Sequence, residues 1–452
     1  MSRANLAWLL IVPALLLGGL LFTYSAPPPE QDYQLVRTVV DVLAEVDKNY
    51  YRNLTPAEKK KFVEDMINGG LHTLDPHSQY FNEDALTKFE HDSIGEFGGI
   101  GITVLIESTE PYLVIQSPMP GTPAYDAGLA PGDVIMAIDG KDMKGIAYED
   151  ARKFIIGEAG TKVTFSIRRG DQDAKPFDVT MTRAKIEQHA VKGYVRQVSD
   201  PTQWNYIADA ASGIAVIRLE QFNEKATTEL RTALEAAAKE GMKALILDLR
   251  GNGGGLLTQA HEISDLFLKE GGIVSTKNRD EKVRVLKAKD DKNKWENPET
   301  LPMAVLVDHG SASASEIVAA ALQENGRAII IGERSYGKGS VQKVYHLPPD
   351  EKRAVKLTSE IWLTPSGKHI HREPTSKESD QWGVIPTPGY EVKLSLDDLK
   401  RRAQLIRKLD VVAGKPGVAP PPKPVDEKNP LPTGYQDPMI AKAIEYLKTK
   451  VK

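Results

Sequence analysis

Between Ile214 and Ile331 the chain alternates apolar strand-like runs with helical segments, and this alternation limits the fold more than any other feature. Residues 214–219, 244–249, 303–307 and 328–331 are almost continuously apolar, the pattern of strands covered on both faces. Residues 224–240 are alanine-rich, with Leu230 and Leu234 inward and Gly241 as the stop. Helical spacing returns at 256–268 and 316–323. Such an order predicts a mixed or parallel sheet with helices outside. Ligands of such sheets sit at the carboxyl ends of the strands. Two loops of small residues follow strands, Gly251-Asn252-Gly253-Gly254-Gly255 and Gly310-Ser311-Ala312-Ser313-Ala314-Ser315-Glu316. They are expected to face one cleft.

The flanking regions differ in texture. From 95 to 183 the chain is a series of short β runs, with a tight-turn signal at Asp139-Gly140 and helical spacing from Tyr148 to Ile156. This predicts a small β-rich module. Before it, Leu35, Val39, Val42, Leu43, Val46 and Tyr50 recur at helical spacing. Thr55-Pro56-Ala57-Glu58 reads as a capping box with proline at the first helical position. The two helices are read as core-packing elements; the alternative is a dimerisation surface, and with it a homo-oligomer. Arg3 precedes an uncharged stretch from Ala4 to Pro29, almost wholly apolar from Leu6 to Phe22. That length suits a bilayer span, and the leading arginine orients the remainder outside the cytoplasm. A cleaved signal peptide is the rival reading, with Tyr24-Ser25-Ala26 as a poor cleavage site. At the other end 394–408 reads as a helix, 414–432 as a proline-rich extended stretch and 439–447 as a short closing helix. The division is therefore 1–30 anchor or signal and linker, 31–92 helical region, 93–185 β-rich module, 186–392 α/β core and 393–452 C-terminal region.

Fifty-eight basic residues against 62 acidic ones give a net charge of −4, which speaks against nucleic acid as a partner. The chain has no cysteine, so thiolate metal sites, disulfides and a thiol nucleophile are excluded. The chemistry then falls to hydroxyls and an amine. Ser311, Ser313 and Ser315 are candidate nucleophiles that spacing alone does not separate, and Ser315 is the best helix-cap candidate. Lys338 stands alone between Gly337 and Gly339. Most lysines are simply exposed. In an apolar pocket this one would lose its proton and serve as a general base. Gln342 is an even number of residues further on, so on a strand it shares the face of Lys338 and is placed to orient the amine. Amides of the glycine loop and of Ala314 are candidate oxyanion donors. Three rival chemistries are weaker. Gly332 to Lys338 fits a GxxxxGK phosphate loop, yet Gly339 replaces the metal-binding hydroxyl and the following residues look extended. His309 beside Asp308 lacks a GxSxG elbow. His369 and His371 would need a third metal ligand.

Taken together, the GSASASE stretch, the later Gly337-Lys338-Gly339 and Gln342 resemble the carboxyl-terminal processing proteases, the tail-specific serine protease family, over roughly Leu35 to Leu447. The resemblance implies a multidomain mixed α/β fold in which a PDZ-like module joins a ClpP/crotonase-like protease core. It implies Ser313 as nucleophile, Lys338 as base and Gln342 as its partner. The oxyanion donors become the Ala314 amide and one of the Gly254-Gly255 pair, where the family usually reads Asn-Asn-Pro-Gly-Gly. Gly99, Ile100, Gly101 and Ile102 match the loop that receives a substrate's C-terminal carboxylate, and Arg169, ahead of Arg168, matches a basic residue linking PDZ position to the active site. Leu74-Asp75-Pro76-His77-Ser78 also fits a family stretch, with no chemistry assigned. The implied partners are proteins and peptides with exposed C-termini, and no metal or cofactor is implied. The competing expectation is an anchored PDZ scaffold without activity.

Overall fold

The computed structural model describes residues 30–106, 110–197, 199–289, 295, 300–412 and 435–451. The expected anchor and the proline-rich stretch 414–432 lie outside the described residues. No helix among the described residues is long and apolar enough to cross a membrane. The chain divides into two compact units at Thr73/Leu74, not near residue 92. The reason is local: Gln79–Phe81 is already a strand paired antiparallel with Arg353–Leu363, so this segment belongs with the second unit.

The first unit holds helices Glu30–Asn49 and Pro56–His72. The capping box forms as predicted, with Thr55 accepting from the Glu58 amide and Glu58 accepting from Thr55. Core packing does not. Leu43, Val46, Leu54, Phe62 and Val63 line the seam between the helices. Leu35 is 69% exposed and Val36 61% exposed, and the second helix has no buried residue. A pair of helices covers one seam and leaves the outer apolar stripe in solvent.

In the second unit, helix Glu83–Ile94 leads into a β-rich module whose antiparallel sheet runs Ile102–Ile106, Leu113–Pro118, Val134–Ile138, Lys162–Arg168, Phe177–Thr182. Asp139 and Gly140 both take positive φ, as the predicted tight turn requires. Helix Tyr148–Ile155 closes the module through Ala151 and Ile155 over Ile115, Ile135, Phe165 and Ile167.

The core sheet has four parallel strands in the order Ile214–Leu219, Ala244–Asp248, Met303–Val307, Ile329–Gly332. Short antiparallel strands Val191–Lys192 and Ile207–Asp209 flank the first. All residues of the first three are buried, because both faces are covered. Ala215, Ile217, Leu245, Leu247 and Val305 pack under helices Ala226–Lys239, Leu257–Phe267 and Ala314–Glu324. The alternate residues Ile214, Val216, Ile246, Ala304 and Leu306 pack under Met439, Ala443 and Leu447 of helix Pro438–Lys448. A second sheet joins Gln79–Phe81, Arg353–Leu363, Gly272–Asn278 and Val283–Lys287, with Ser340–Leu347 paired to Arg353–Leu363.

One buried ion cluster anchors the C-terminal helix beneath the glycine loop. The Arg250 guanidinium is fully buried between Asp248, at 2.7 Å, and Asp437, at 2.9 Å. Asp437 also accepts the Met439 and Ile440 amides as the helix cap. Removing one partner of such a pair strands the other's charge. Asp437→Ala is therefore expected to cost about 3–5 kcal/mol of stability, read from urea unfolding of the intact chain, with Asp437→Asn closer to wild type.

Candidate active site

Helix Ala314–Glu324 starts where strand Met303–Val307 has ended, and Ser313 is its N-cap residue with φ +54° and ψ −111°. This corrects the expectation that Ser315 would cap. A non-glycine residue in such a conformation costs on the order of 1–3 kcal/mol and persists only where its surroundings impose it. They do so here. Ser311 and Ser315 are fully buried. Ser311 donates its hydroxyl to the Leu249 carbonyl at 2.9 Å, and Ser315 donates to the Asn252 carbonyl at 2.8 Å. Both rivals are thus committed to fastening the serine loop onto the glycine loop. Ser313 instead lines a cleft of about 330 Å³, together with Lys338, Gln342, Gly255, Ala314 and Lys356.

The two loops approach so closely that side chains are excluded. A Cβ on Gly254, whose φ is +102°, would stand 2.9 Å from Ser313 Cβ and 3.0 Å from the Ala314 nitrogen. Asn252 sets this spacing. Its side chain donates to the Leu219 carbonyl at 2.7 Å and accepts the Gly254 amide at 2.9 Å, while its carbonyl accepts the Ala312 amide at 3.0 Å. Gly254 thereby spends its amide internally, and Gly255 is the member of the pair that lines the cleft.

Glu316 joins the serine turn to the lysine turn. Its carboxylate, with no exposed surface, accepts from the Ser313 amide at 2.7 Å and the Lys338 amide at 2.8 Å on one oxygen. The other oxygen accepts from the Gly337 amide at 2.6 Å and the Ser335 hydroxyl at 2.5 Å. Burial pushes the carboxyl up, and the four donors oppose that. Charge-assisted bonds of this kind are short and strong. From sequence, Glu316 only closes the GSASASE stretch and opens the helical spacing of 316–323. The missed signal was an acid directly inside a small-residue helix start, where no solvent is available to it.

Lys338 is half-buried, and its carbonyl accepts from the Trp362 indole at 2.8 Å. Burial, and after it the Lys356 charge, hold its amine below the usual lysine range; Glu316 and Asp75 act the other way. Gln342 lines the same cleft, but its amide nitrogen donates to Ser340 and Thr358, each at 3.0 Å. Thr358 in turn donates to Asp75 at 3.0 Å. Asp75 also accepts the amides of His77 and Ser78 and the Ser78 hydroxyl. The Leu74–Ser78 stretch, given no role from sequence, is therefore the outer support of Gln342.

The remaining candidates fall elsewhere. Ile102–Ile106 is an edge strand of the β-rich module, and Gly101, with φ +77°, precedes it. Ile100 is fully buried, its carbonyl accepting the Ala124 amide at 2.8 Å. Gly99 ends strand Glu96–Gly99, paired with Ala184–Glu187. Arg169 makes a bidentate contact to buried Asp133 at 2.6 Å and donates to the Gly128 carbonyl at 2.8 Å, all inside the module. Arg168 is likewise paired with Glu110. Neither reaches the Ser313 cleft. His309 is exposed beside Glu333. Ser340–Leu347 is a strand, so the GxxxxGK segment opens no helix for a phosphate. His369 and His371 stack with ring centroids 5.8 Å apart, and no group of three metal-binding side chains occurs among the described residues.

Comparison with known proteins places this geometry. The family model for peptidase family S41 matches residues 213–386, and a PDZ domain model matches 114–169. The carboxy-terminal-processing protease of Bartonella bacilliformis is 35% identical over 397 residues, which cover 86% of both chains. The chain belongs to peptidase family S41. This S41 enzyme is a serine-type protease of the carboxy-terminal-processing group, carrying a PDZ domain. The carboxy-terminal processing protease CtpA of Bacillus subtilis is 34% identical over 331 residues, 73% of this chain and 65% of that one. Among solved structures, a photosystem II D1 C-terminal processing protease aligns at 26% identity and a TM-score of 0.43, covering 84% of this chain and 91% of that one.

Because Glu316 holds both turns of this S41 protease, Glu316→Gln places a donor against two buried donors. A displacement near 1 Å at such a site costs about 10²-fold. The kcat on a quenched fluorescent peptide is expected to fall at least that far, with a smaller loss in melting temperature.

Proposed function

We propose that this protease hydrolyses peptide bonds near the C-termini of proteins through a Ser313/Lys338 dyad. One observation carries the reading: the buried Glu316 carboxylate binds the backbone of both residues, which then line one cleft. Substrate enters with its carbonyl against Ser313. The neutral Lys338 amine takes the hydroxyl proton as Ser313 Oγ bonds to the carbonyl carbon. The carbonyl π electrons move to oxygen, where the Ala314 and Gly255 amides receive the charge. Collapse breaks the C–N bond, and the proton on Lys338 passes to the departing amine. Water, deprotonated by the same amine, bonds to the acyl carbon; the C–Oγ bond then breaks and the proton on Lys338 passes to Ser313 Oγ, restoring both residues. Gln342, braced by Thr358 and Asp75, fixes the wall of the cleft beside Lys338.

The PDZ domain supplies selection. The outer edge of strand Ile102–Ile106 accepts an extended peptide as an added strand, and the Gly99–Ile102 turn offers amides to its terminal carboxylate. The uncharged stretch from Ala4 to Pro29 behind Arg3 supports an anchor that holds the catalytic part outside the cytoplasm.

Activity requires the uncharged amine, so the rate rises with pH through the lowered lysine value and falls as the ammonium forms below it. The acid limb of kcat/KM against pH is expected to lie below the ordinary lysine range. Ser313→Ala and Lys338→Arg are each expected to abolish cleavage of an unfolded protein, since a guanidinium does not deprotonate. Full cleavage by Lys338→Arg would remove lysine as the base. For the PDZ role, amidating the C-terminus of a peptide substrate is expected to raise KM several-fold and leave kcat close to its value with the free acid.

A further inference from the structure

Two lysines, not one, line the cleft. Lys356 lies on strand Arg353–Leu363, opposite Val344 on one side and Gln79 on the other, and is half-buried. Its ammonium stands 5.3 Å from the ring centroid of Phe81 and 5.9 Å from that of Phe89. Those rings are themselves stacked 5.2 Å apart. Among the described residues neither Lys338 nor Lys356 forms an ion pair with a carboxylate.

Like charges sharing one poorly solvated space disfavour each other's ionisation, and the group in the better surroundings keeps its proton. An ammonium is attracted to aromatic faces, more so when partly desolvated. Burial lowers the Lys356 amine too, but Asp75 opposes that and Lys356 has two such faces. Lys338, on its glycine-flanked turn, has none among the described residues. We propose that Lys356 is a positioning residue whose charge, seated on the Phe81–Phe89 pair, keeps Lys338 in the neutral amine form that abstracts the Ser313 proton.

The other groups facing Lys338 do not take over this part. Glu316, from its helix, and Asp75, from the turn before Gln79–Phe81, both favour the ammonium. Each is already spent on four hydrogen bonds. His77, on that same turn, is itself pushed down, by burial before anything else, with Asp75 acting the other way. His369 is pushed down by burial, then by His371. Burial and Lys356 are what act against the proton on Lys338.

The idea rests on Lys338 being the base, and its test keeps the two claims apart. In a Ser313→Ala background, brief acylation with acetic anhydride modifies only neutral amines, and peptide mass spectrometry reads Lys338 across a pH series. Lys338 is expected to acylate at lower pH than an exposed lysine such as Lys393. Lys356→Gln is expected to move that curve to higher pH. With Ser313 intact, Lys356→Gln is expected to lower proteolysis near pH 7 by roughly three- to tenfold, a loss that shrinks as pH rises. Lys356→Arg keeps the charge and is expected to match wild type in both readouts. An unmoved acylation curve in Lys356→Gln, or a loss of activity equal at every pH, overturns the proposal. Activity retained by Lys338→Arg would refute the base assignment alone, because the acylation curve measures the coupling without turnover.

Discussion

A single buried carboxylate organises the catalytic half of this molecule. Glu316 sits in the first turn of helix Ala314–Glu324, and its four donors come from Ser313 and from the turn that carries Ser335, Gly337 and Lys338. The Ser335 hydroxyl that donates to it also accepts the Val384 amide at 2.6 Å, extending the tie to the segment beyond the second sheet. A desolvated acid is costly unless fully satisfied. Its satisfaction therefore fixes the spacing of every segment that contributes a donor. The Ser313 turn and the Lys338 turn are not independently mobile parts.

A second fastening works from below. Asp308 accepts the Gly251 amide at 2.8 Å and the Gly310 amide at 2.9 Å, so one side chain bridges the mouths of both loops. Arg402, from helix Leu396–Asp410, lies 3.6 Å from Asp308 and 3.7 Å from Asp437. With Arg250 between Asp248 and Asp437, charge runs unbroken from the C-terminal helices to the glycine loop. The C-terminal region is thus part of the site's foundation. Just past helix Leu396–Asp410, the Val412 amide donates to the Ser117 hydroxyl of the PDZ domain at 2.9 Å.

Much of this was legible in the sequence wherever periodicity or local chemistry decides. The strands at 214–219 and 303–307 appear with the same limits, because short, mostly apolar runs bounded by glycine, proline or acidic residues favour buried strands over helices. The serine and glycine loops were expected to meet, and they do, at contact distances that exclude a Cβ. What stayed hidden depends on partners far along the chain. Nothing near Asp75 announces that it braces Thr358, and nothing near Lys356 announces two phenylalanines from a strand and a helix far back in the chain. Ser315 looked like the cap because its own neighbours suit one; a carbonyl from the glycine loop claimed its hydroxyl instead. The first helix was read as a packing element because its apolar stripe is regular, yet regularity does not say what covers the stripe.

The left-handed backbone at residue 313 has its own consequence. Alanine there removes the hydroxyl and inherits the tension. Glycine removes both, since it occupies that region without a steric penalty. The two variants are then not equivalent: one keeps the strained backbone of the native chain, the other relaxes it. The wild-type chain accepts a less restful fold at this single position in return for a presented oxygen.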